Sequence, residues 1–475
     1  MKKKFKSYIL LFGIFVIIFG CEDYNKLTPP VIDPGNADFS RFVSIGNSLT
    51  AGYQSGSLFE SAQMYSFGKQ IADVMGVNYE QPLISEPGTT GRLEIQSLSP
   101  FVLYTDPNTG KPVNLGYPKP YNNLGVPGAL LYDVANATNS TNCASALFAN
   151  SPNPMFDIIL RNSALNIGTQ IQQAAALKPT FITLWIGNND VLGYATSGGV
   201  SPSAPTDIQT FTALYTGVGN AIASFGANVV VANIPDVTSI PFFTTVGPQV
   251  ALNVPWSQLA LLGVPGLFYQ QHGETGPATV FADSLSLLTG NVLLTLKGSS
   301  YAGYIGAPSG KFYRDFGFPG LPPGIDTTQA FGVHPQNPWP DALILDTDEI
   351  SVAVTTTNSY NGVIASIANS NGFGLVDINT YFKTFVGGKV INGITFSTMF
   401  VEGNLFSLDG VHPTSQGQGI IANEFIKVIY NSFGAKLPLI DVSTIPGSLK
   451  FAGKLNYDQY GYAKFPVGAF DHLFF

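Results

Sequence analysis

The chain has 475 residues, of which 45% are hydrophobic and only 11% are charged, against about 25% charged in an ordinary soluble domain. That length holds one large or two ordinary domains with a sizeable core. A net charge of −8, with no Lys/Arg cluster beyond the extreme N-terminus, argues against nucleic acid as a partner.

In chain order, "MKKKFKSYILLFGIFVIIFGC" comes first. Lysines precede an apolar run from Tyr8 to Gly20 that falls short of the ~20 residues a bilayer span needs. Residues 1–20 read as a secretory signal. Ile18-Phe19-Gly20-Cys21 resembles a bacterial lipoprotein processing site. The resemblance implies acylation of Cys21 and a lipid anchor at the bacterial cell envelope, on the outer membrane or cell surface. Residues 21–40, rich in Pro, Asp and Asn, have the composition of a tether. Cys143 is the second of two cysteines; with Cys21 acylated it has no partner and is expected as a buried free thiol.

The main domain is expected over 41–436. Residues 41–46 read as a strand. Met64, Phe67, Ile71 and Val74 have the spacing of a helix over 61–76. Helix 164–177 precedes strand 180–187. Helix 206–226, with an N-cap in Thr206 or Asp207, precedes the β-branched strand 227–234. A weaker helix over 349–372, strand 373–378 and helix 415–434 complete the pattern. Such alternation predicts a mostly parallel sheet flanked by helices. Two insertions interrupt it, at about 82–122 and 239–345, and a Gly/Tyr/Phe-rich extension follows from 437 to 475. The stretch 239–273 contains no Asp, Glu, Lys or Arg. It reads either as a second piece of packed core or as a lid over an acyl-chain crevice.

Candidate chemistry begins at "FVSIGNSLTAGY" (42–53), where a buried strand stops at Gly46-Asn47-Ser48. A serine beyond the carboxyl end of such a strand stands where ligands gather in open α/β sheets. Far downstream, "SLDGVHPTSQGQ" (407–418) sets Asp409 three residues ahead of His412, just before the last helix. That spacing lets the carboxylate accept from imidazole Nδ1 and leaves Nε2 free to take a proton. Of the four histidines, His272, His334 and His472 read as surface or structural residues. "LWIGNNDVLG" (184–193) puts asparagines directly after a buried strand, where an amide can donate to a developing oxyanion. "NNLGVPGALLYD" (122–133) supplies a Gly-rich turn in which Gly128 can bring its N–H close to a substrate. Asp190 reads as a structural acceptor. No H-E-x-x-H, C-x-x-C or G-x-x-x-x-G-K-[ST] spacing occurs, so neither a metal site nor a nucleotide cradle is indicated and no cofactor is expected.

Gly46-Asn47-Ser48-Leu49, the Gly128 turn, Gly187-Asn188-Asn189-Asp190 and Asp409-Gly410-Val411-His412 together resemble the four blocks of the SGNH/GDSL hydrolases, in the right order. The resemblance covers roughly 41–434 without the two insertions. It implies a flavodoxin-like three-layer α/β/α fold. It implies Ser48 as nucleophile, His412 as base, Asp409 as its orienter, and an oxyanion hole from Ser48 N–H, Gly128 N–H and the Asn189 side chain. The sequence departs from the pattern at Asn47, where the family carries an aspartate. The glycine of the second block is Gly125 or Gly128, and Gly128 is preferred. The function expected is a serine esterase or lipase-type acylhydrolase acting on an acyl lipid or an acylated glycan. A carbohydrate O-deacetylase and a non-catalytic binding lipoprotein remain as alternatives.

Overall fold

The computed structural model describes residues 32–89, 91–98, 101–201, 205–452, 456–457 and 463–464. The 1–20 segment, Cys21 and His472 lie outside the described residues. One compact unit runs from Pro34 onward. Its centre is a five-stranded sheet of β1 (Phe42–Gly46), β2 (Asn123–Gly125), β3 (Phe181–Trp185), β4 (Asn228–Ala232) and β5 (Gly374–Val376). The order across the sheet is β5-β4-β3-β1-β2, and every pairing is parallel. This is the 2-1-3-4-5 arrangement of flavodoxin-like doubly wound sheets. Every residue of β1 and β3 is buried, as a parallel strand covered on both faces requires. The two polar side chains inside these strands satisfy each other: Thr183 Oγ1 lies 2.8 Å from Ser44 Oγ.

Seven helices frame the sheet and the loops at its edge: α1 (Ser48–Ala51), α2 (Phe67–Met75), α3 (Gln170–Ala176), α4 (Asn189–Thr196), α5 (Ile208–Ala223), α6 (Thr347–Asn371) and α7 (Ser415–Phe433). Phe67 of α2 stacks on Phe425 of α7 at 4.8 Å and meets Trp185 of β3 edge-on at 5.8 Å, which fixes one helical layer on the sheet. In the other layer Phe211 of α5 stacks on Tyr360 of α6. Of the two N-cap candidates for α5 it is Asp207 that caps, accepting from Gln209 N and Thr210 N at 3.0 and 2.9 Å.

Three boundaries differ from the sequence reading. The helix expected over 61–76 divides at Ser66, whose hydroxyl caps α2, and Met64 lies exposed instead of on the apolar face. α6, read from the sequence as a weaker helix over 349–372, starts at Thr347 and runs for 25 residues. A reciprocal cap between Asp346 and Glu349 starts it, and Ala353, Thr357, Tyr360, Ile364 and Ala368 form a buried stripe at helical spacing. Within 21–40, Ala37 and Phe39 are already buried, and Phe39 packs edge-on against Phe181 at 5.0 Å.

The 239–345 insertion has an apolar core of its own, built on Val250, Leu267, Leu287, Leu294, Phe331 and the fully buried Trp339. The uncharged 239–273 stretch supplies part of that core, while Leu252, Leu261 and Leu262 stay on the surface. The 82–122 insertion carries an antiparallel hairpin, Leu93–Leu98 with Phe101–Thr105. Cys143 is a buried free thiol. After α7 the described part of the extension runs back along the domain: Asn423 Oδ1 accepts from Ile440 N at 2.7 Å, and Ala452 N donates to Ile95 O at 2.8 Å. No helix among the described residues is long and apolar enough to cross a membrane.

Candidate active site

β1 ends at Gly46 because nothing larger fits there. A Cβ on Gly46 would stand 2.2 Å from Thr50 Oγ1 and 2.4 Å from the Trp185 carbonyl oxygen. Asn47 then turns the chain, and its Oδ1 accepts from Leu49 N at 3.1 Å, which caps α1. Ser48 is therefore the first residue of a helix at the carboxyl edge of the sheet, with only 7% of its surface exposed. The first N–H groups of a helix have no partner within it, so the Ser48 N–H has none inside α1.

The loop ahead of α7 brings the second half of the site. His412 Nε2 lies 2.9 Å from Ser48 Oγ, and His412 Nδ1 lies 2.9 Å from Asp409 Oδ2. Gly56 N also donates to Asp409 Oδ2, at 2.9 Å. Asp409 Oδ1 accepts from Val411 N at 2.9 Å, His412 N at 2.8 Å and Ser407 Oγ at 3.1 Å. Burial alone would raise the Asp409 pKa, but the facing imidazole and these donors outweigh it and hold the carboxyl down to about 2. The carboxylate stays ionised and accepts from Nδ1–H, which leaves the Nε2 lone pair directed at the serine hydroxyl. The Tyr53 ring packs against the imidazole at 4.8 Å.

The two glycines of the second block separate clearly. Gly125 lies in β2, where its N–H donates to Asn123 Oδ1 at 3.0 Å and a Cβ would stand 2.5 Å from Ala51 N. Gly125 makes room for α1 and has no N–H to offer. Gly128 sits at φ +81, exposed, and among the described residues nothing accepts from its N–H. Asn189 heads α4 and reaches the same turn, donating from Nδ2 to Ala129 O at 2.9 Å. That bond uses one of its two amide hydrogens. Asp190 is wholly structural in geometry: its carboxylate accepts from Leu131 N at 2.9 Å and Thr206 Oγ1 at 2.8 Å, and burial pushes it up to about 7.

Asn188 was not singled out by the sequence. It is 96% buried, since only 4% of its surface is exposed, and its Oδ1 accepts from Asn47 Nδ2 at 3.3 Å. The Leu49 N–H holds Asn47 Oδ1, so Asn47 must present its NH2 and Asn188 must present its oxygen. An aspartate at 47 would instead face Asn188 with an acceptor. Asn47 stood out as a departure from the family pattern, but its partner Asn188 lies 141 residues away and could not be paired with it from sequence alone. A double-mutant cycle of Asn47→Ala and Asn188→Ala is expected to show a coupling of about 0.5–3 kcal/mol in urea unfolding. Additive effects would dissolve the pairing.

Ser48, His412, Asn47, Asn188 and Asn189 border a pocket walled by Trp185, Leu192, Val237, Ile240, Phe382 and Phe406. It offers about 40 Å³ to the centre of a water-sized sphere, where one water needs about 10–15 Å³. Among the described residues His412 is the one titratable side chain on its wall. Such a wall suits an uncharged group of a few heavy atoms and not a phosphate or a carboxylate. Val237 comes just before the 239–345 insertion, Ile240 is in its first turn, and Phe242 N donates to Gly410 O at 2.9 Å. The insertion thus reaches the pocket at its first turn, while the rest packs on itself.

No family model matches the chain, and none of the curated proteins matches it. Among solved structures the chain is similar to LAE5, described as an alpha/beta hydrolase enzyme from the metagenome of Lake Arreo, Spain. The two share 11% identity over 83% of this chain and 96% of that one, with a TM-score of 0.32.

Proposed function

We propose that the protein is a serine esterase of the SGNH/GDSL type that cleaves short-chain carboxylic esters through an acyl-enzyme. The observation that carries this reading is the unbroken chain Ser48 Oγ–His412 Nε2 and His412 Nδ1–Asp409 Oδ2, both links at 2.9 Å, on the wall of an apolar pocket. Ser48 Oγ attacks the ester carbonyl carbon while its proton passes to His412 Nε2. The carbonyl oxygen becomes an oxyanion held by Ser48 N–H, Gly128 N–H and the remaining amide hydrogen of Asn189. Collapse breaks the carbon–oxygen bond, and the leaving alcohol takes the proton from Nε2. Water then repeats the sequence on the acyl-serine, again losing a proton to Nε2, and releases the carboxylic acid. Asp409 stays ionised throughout and stabilises the imidazolium.

The small apolar pocket beside Ser48 supports a short acyl group, acetyl to butyryl. The same observation favours a carbohydrate O-deacetylase, which differs only in the alcohol. A fluorophosphonate probe is expected to label the purified protein at Ser48, located by peptide mass spectrometry, and not to label Ser48→Ala. Turnover of p-nitrophenyl acetate or butyrate is expected to exceed that of the decanoate by at least tenfold in kcat/KM. Absent labelling would leave a binding protein with this fold; a preference for decanoate would remove the short-chain assignment. Acetylated glycan set against acetylated phenol then separates the two alcohols.

A further inference from the structure

His272, Asp346 and Glu349 meet where the 239–345 insertion joins the head of α6. One ligand-type atom from each lies within 4.8 Å of the others. His272 Nε2 is 3.6 Å from Asp346 Oδ2, and His272 Nδ1 is 3.6 Å from Glu349 Oε1. These gaps are too long for hydrogen bonds. The two gaps start from opposite nitrogens of the ring, so an ion would be held by one of them, with both carboxylates reaching it from within 4.8 Å.

The helix cap accounts for only half of the acid. Asp346 Oδ1 accepts from Asp348 N and Glu349 N, and one Glu349 oxygen accepts from Asp346 N at 2.9 Å. The other oxygen of each carboxylate faces the imidazole, and Asp346 Oδ2 is oriented there by Gln271 Nε2 at 2.8 Å. Both side chains are nearly sealed, with 2% and 3% exposed. Gly199 stands over Glu349 without a side chain; a Cβ there would be 2.5 Å from Glu349 Oε1.

A separate observation points to a missing partner. Asp341 is 4% exposed, and its Oδ2 accepts at 2.6 Å from the N–H of Gly273, next to His272. Its Oδ1 is buried and has no partner among the described residues. Its donor Gly273 adjoins His272, which places the carboxyl beside the cluster. No lysine or arginine is within ion-pair distance of these acids among the described residues.

We propose that His272, Asp346 and Glu349, with Asp341 beside them, bind one divalent cation of the zinc class and clamp the insertion to α6. An imidazole among carboxylates selects zinc over calcium or magnesium, which prefer all-oxygen cages. Sequence spacing could not flag the site, because its ligands come from separate elements and not from one short motif.

The test uses the untagged full chain, stripped with EDTA, incubated with ZnCl2 and desalted. One zinc per chain is expected by elemental mass spectrometry, with a rise of about 3–5 °C in the thermal midpoint. His272→Ala and Glu349→Gln are both expected to lose the ion and the shift. Glutamine keeps the cap by offering its carbonyl oxygen to Asp346 N, so this variant removes the ligand and leaves the helix start. His272 is half exposed, so His272→Ala decides alone should the other variant not fold. Zinc retained by His272→Ala, no zinc retained by the native chain, or a midpoint that rises with CaCl2 and not with ZnCl2 would each overturn the assignment.

Discussion

Asp409→Asn is expected to lower kcat for a short-chain ester by about 10⁴-fold with little change in KM, because an amide at Oδ2 favours the wrong imidazole tautomer. The hydrogen-bond pattern shows why asparagine cannot hide at this position. One carboxylate oxygen accepts from Gly56 N and faces His412 Nδ1, and the other accepts from Val411 N and His412 N. Whichever way the amide turns, its NH2 meets at least one buried N–H, and that donor loses its acceptor. The expected cost is about 1–3 kcal/mol in urea unfolding at neutral pH. The pH dependence has a definite sign. Asp409 is depressed from 3.8 to about 2 in the folded state. Its contribution, about 2 kcal/mol, is complete above pH 4 and is lost as pH falls through 2. The stability gap between the native chain and Asp409→Asn should therefore narrow from pH 5 to pH 2.5. A turnover within tenfold of the native value would remove Asp409 from the mechanism, and a pH-independent gap would contradict the depressed pKa.

The second large effect is expected at Gly46→Ala. The glycine is there for room, not for an unusual φ: it is not among the residues at positive φ. A methyl group would press on Thr50 Oγ1, which can rotate, and on the Trp185 carbonyl oxygen, which cannot. Gly46 pairs in register with Trp185, so relief requires β1 and β3 to part at the very end that carries Ser48. Overpacking of this kind costs about 1–3 kcal/mol or somewhat more. A displacement near 1 Å at a nucleophile costs about 10²-fold in rate. Urea midpoint and kcat should fall together, and adding Thr50→Ala should restore neither. Full rescue by Thr50→Ala would show that the side chain, and not the strand carbonyl, sets the limit.

Much of the architecture could be read along the chain because parallel strands announce themselves. "FITLW" and "NVVVA" are apolar on both faces, and helices with caps such as Asp207 separate them. The serine at the end of β1 and the Asp409–His412 spacing were likewise visible, since each depends on a few adjacent residues, and the structure brings the three side chains into contact. What stayed hidden depends on distant neighbours. Gly125 and Gly128 look interchangeable until one is found pressed against α1 and the other exposed. The Ser66 break in the 61–76 helix follows from capping, which outweighs an unbroken apolar spacing. Ala37 and Phe39 look like linker residues because two apolar side chains cannot outweigh a Pro/Asp/Asn context in composition, yet both are buried and Phe39 packs against β3. The uncharged stretch after β4 could not declare whether it covers the pocket or itself, because hydrophobicity carries no address.

The contact between Phe242 N and Gly410 O has a wider meaning. It joins the first turn of a hundred-residue excursion to the short segment that presents the imidazole. The excursion is thus no ornament that could be trimmed or exchanged wholesale: any graft that altered how it leaves the sheet would also tilt the ring that takes the proton. Diversification of this scaffold is therefore freest at the far end of the excursion and most restricted where it departs.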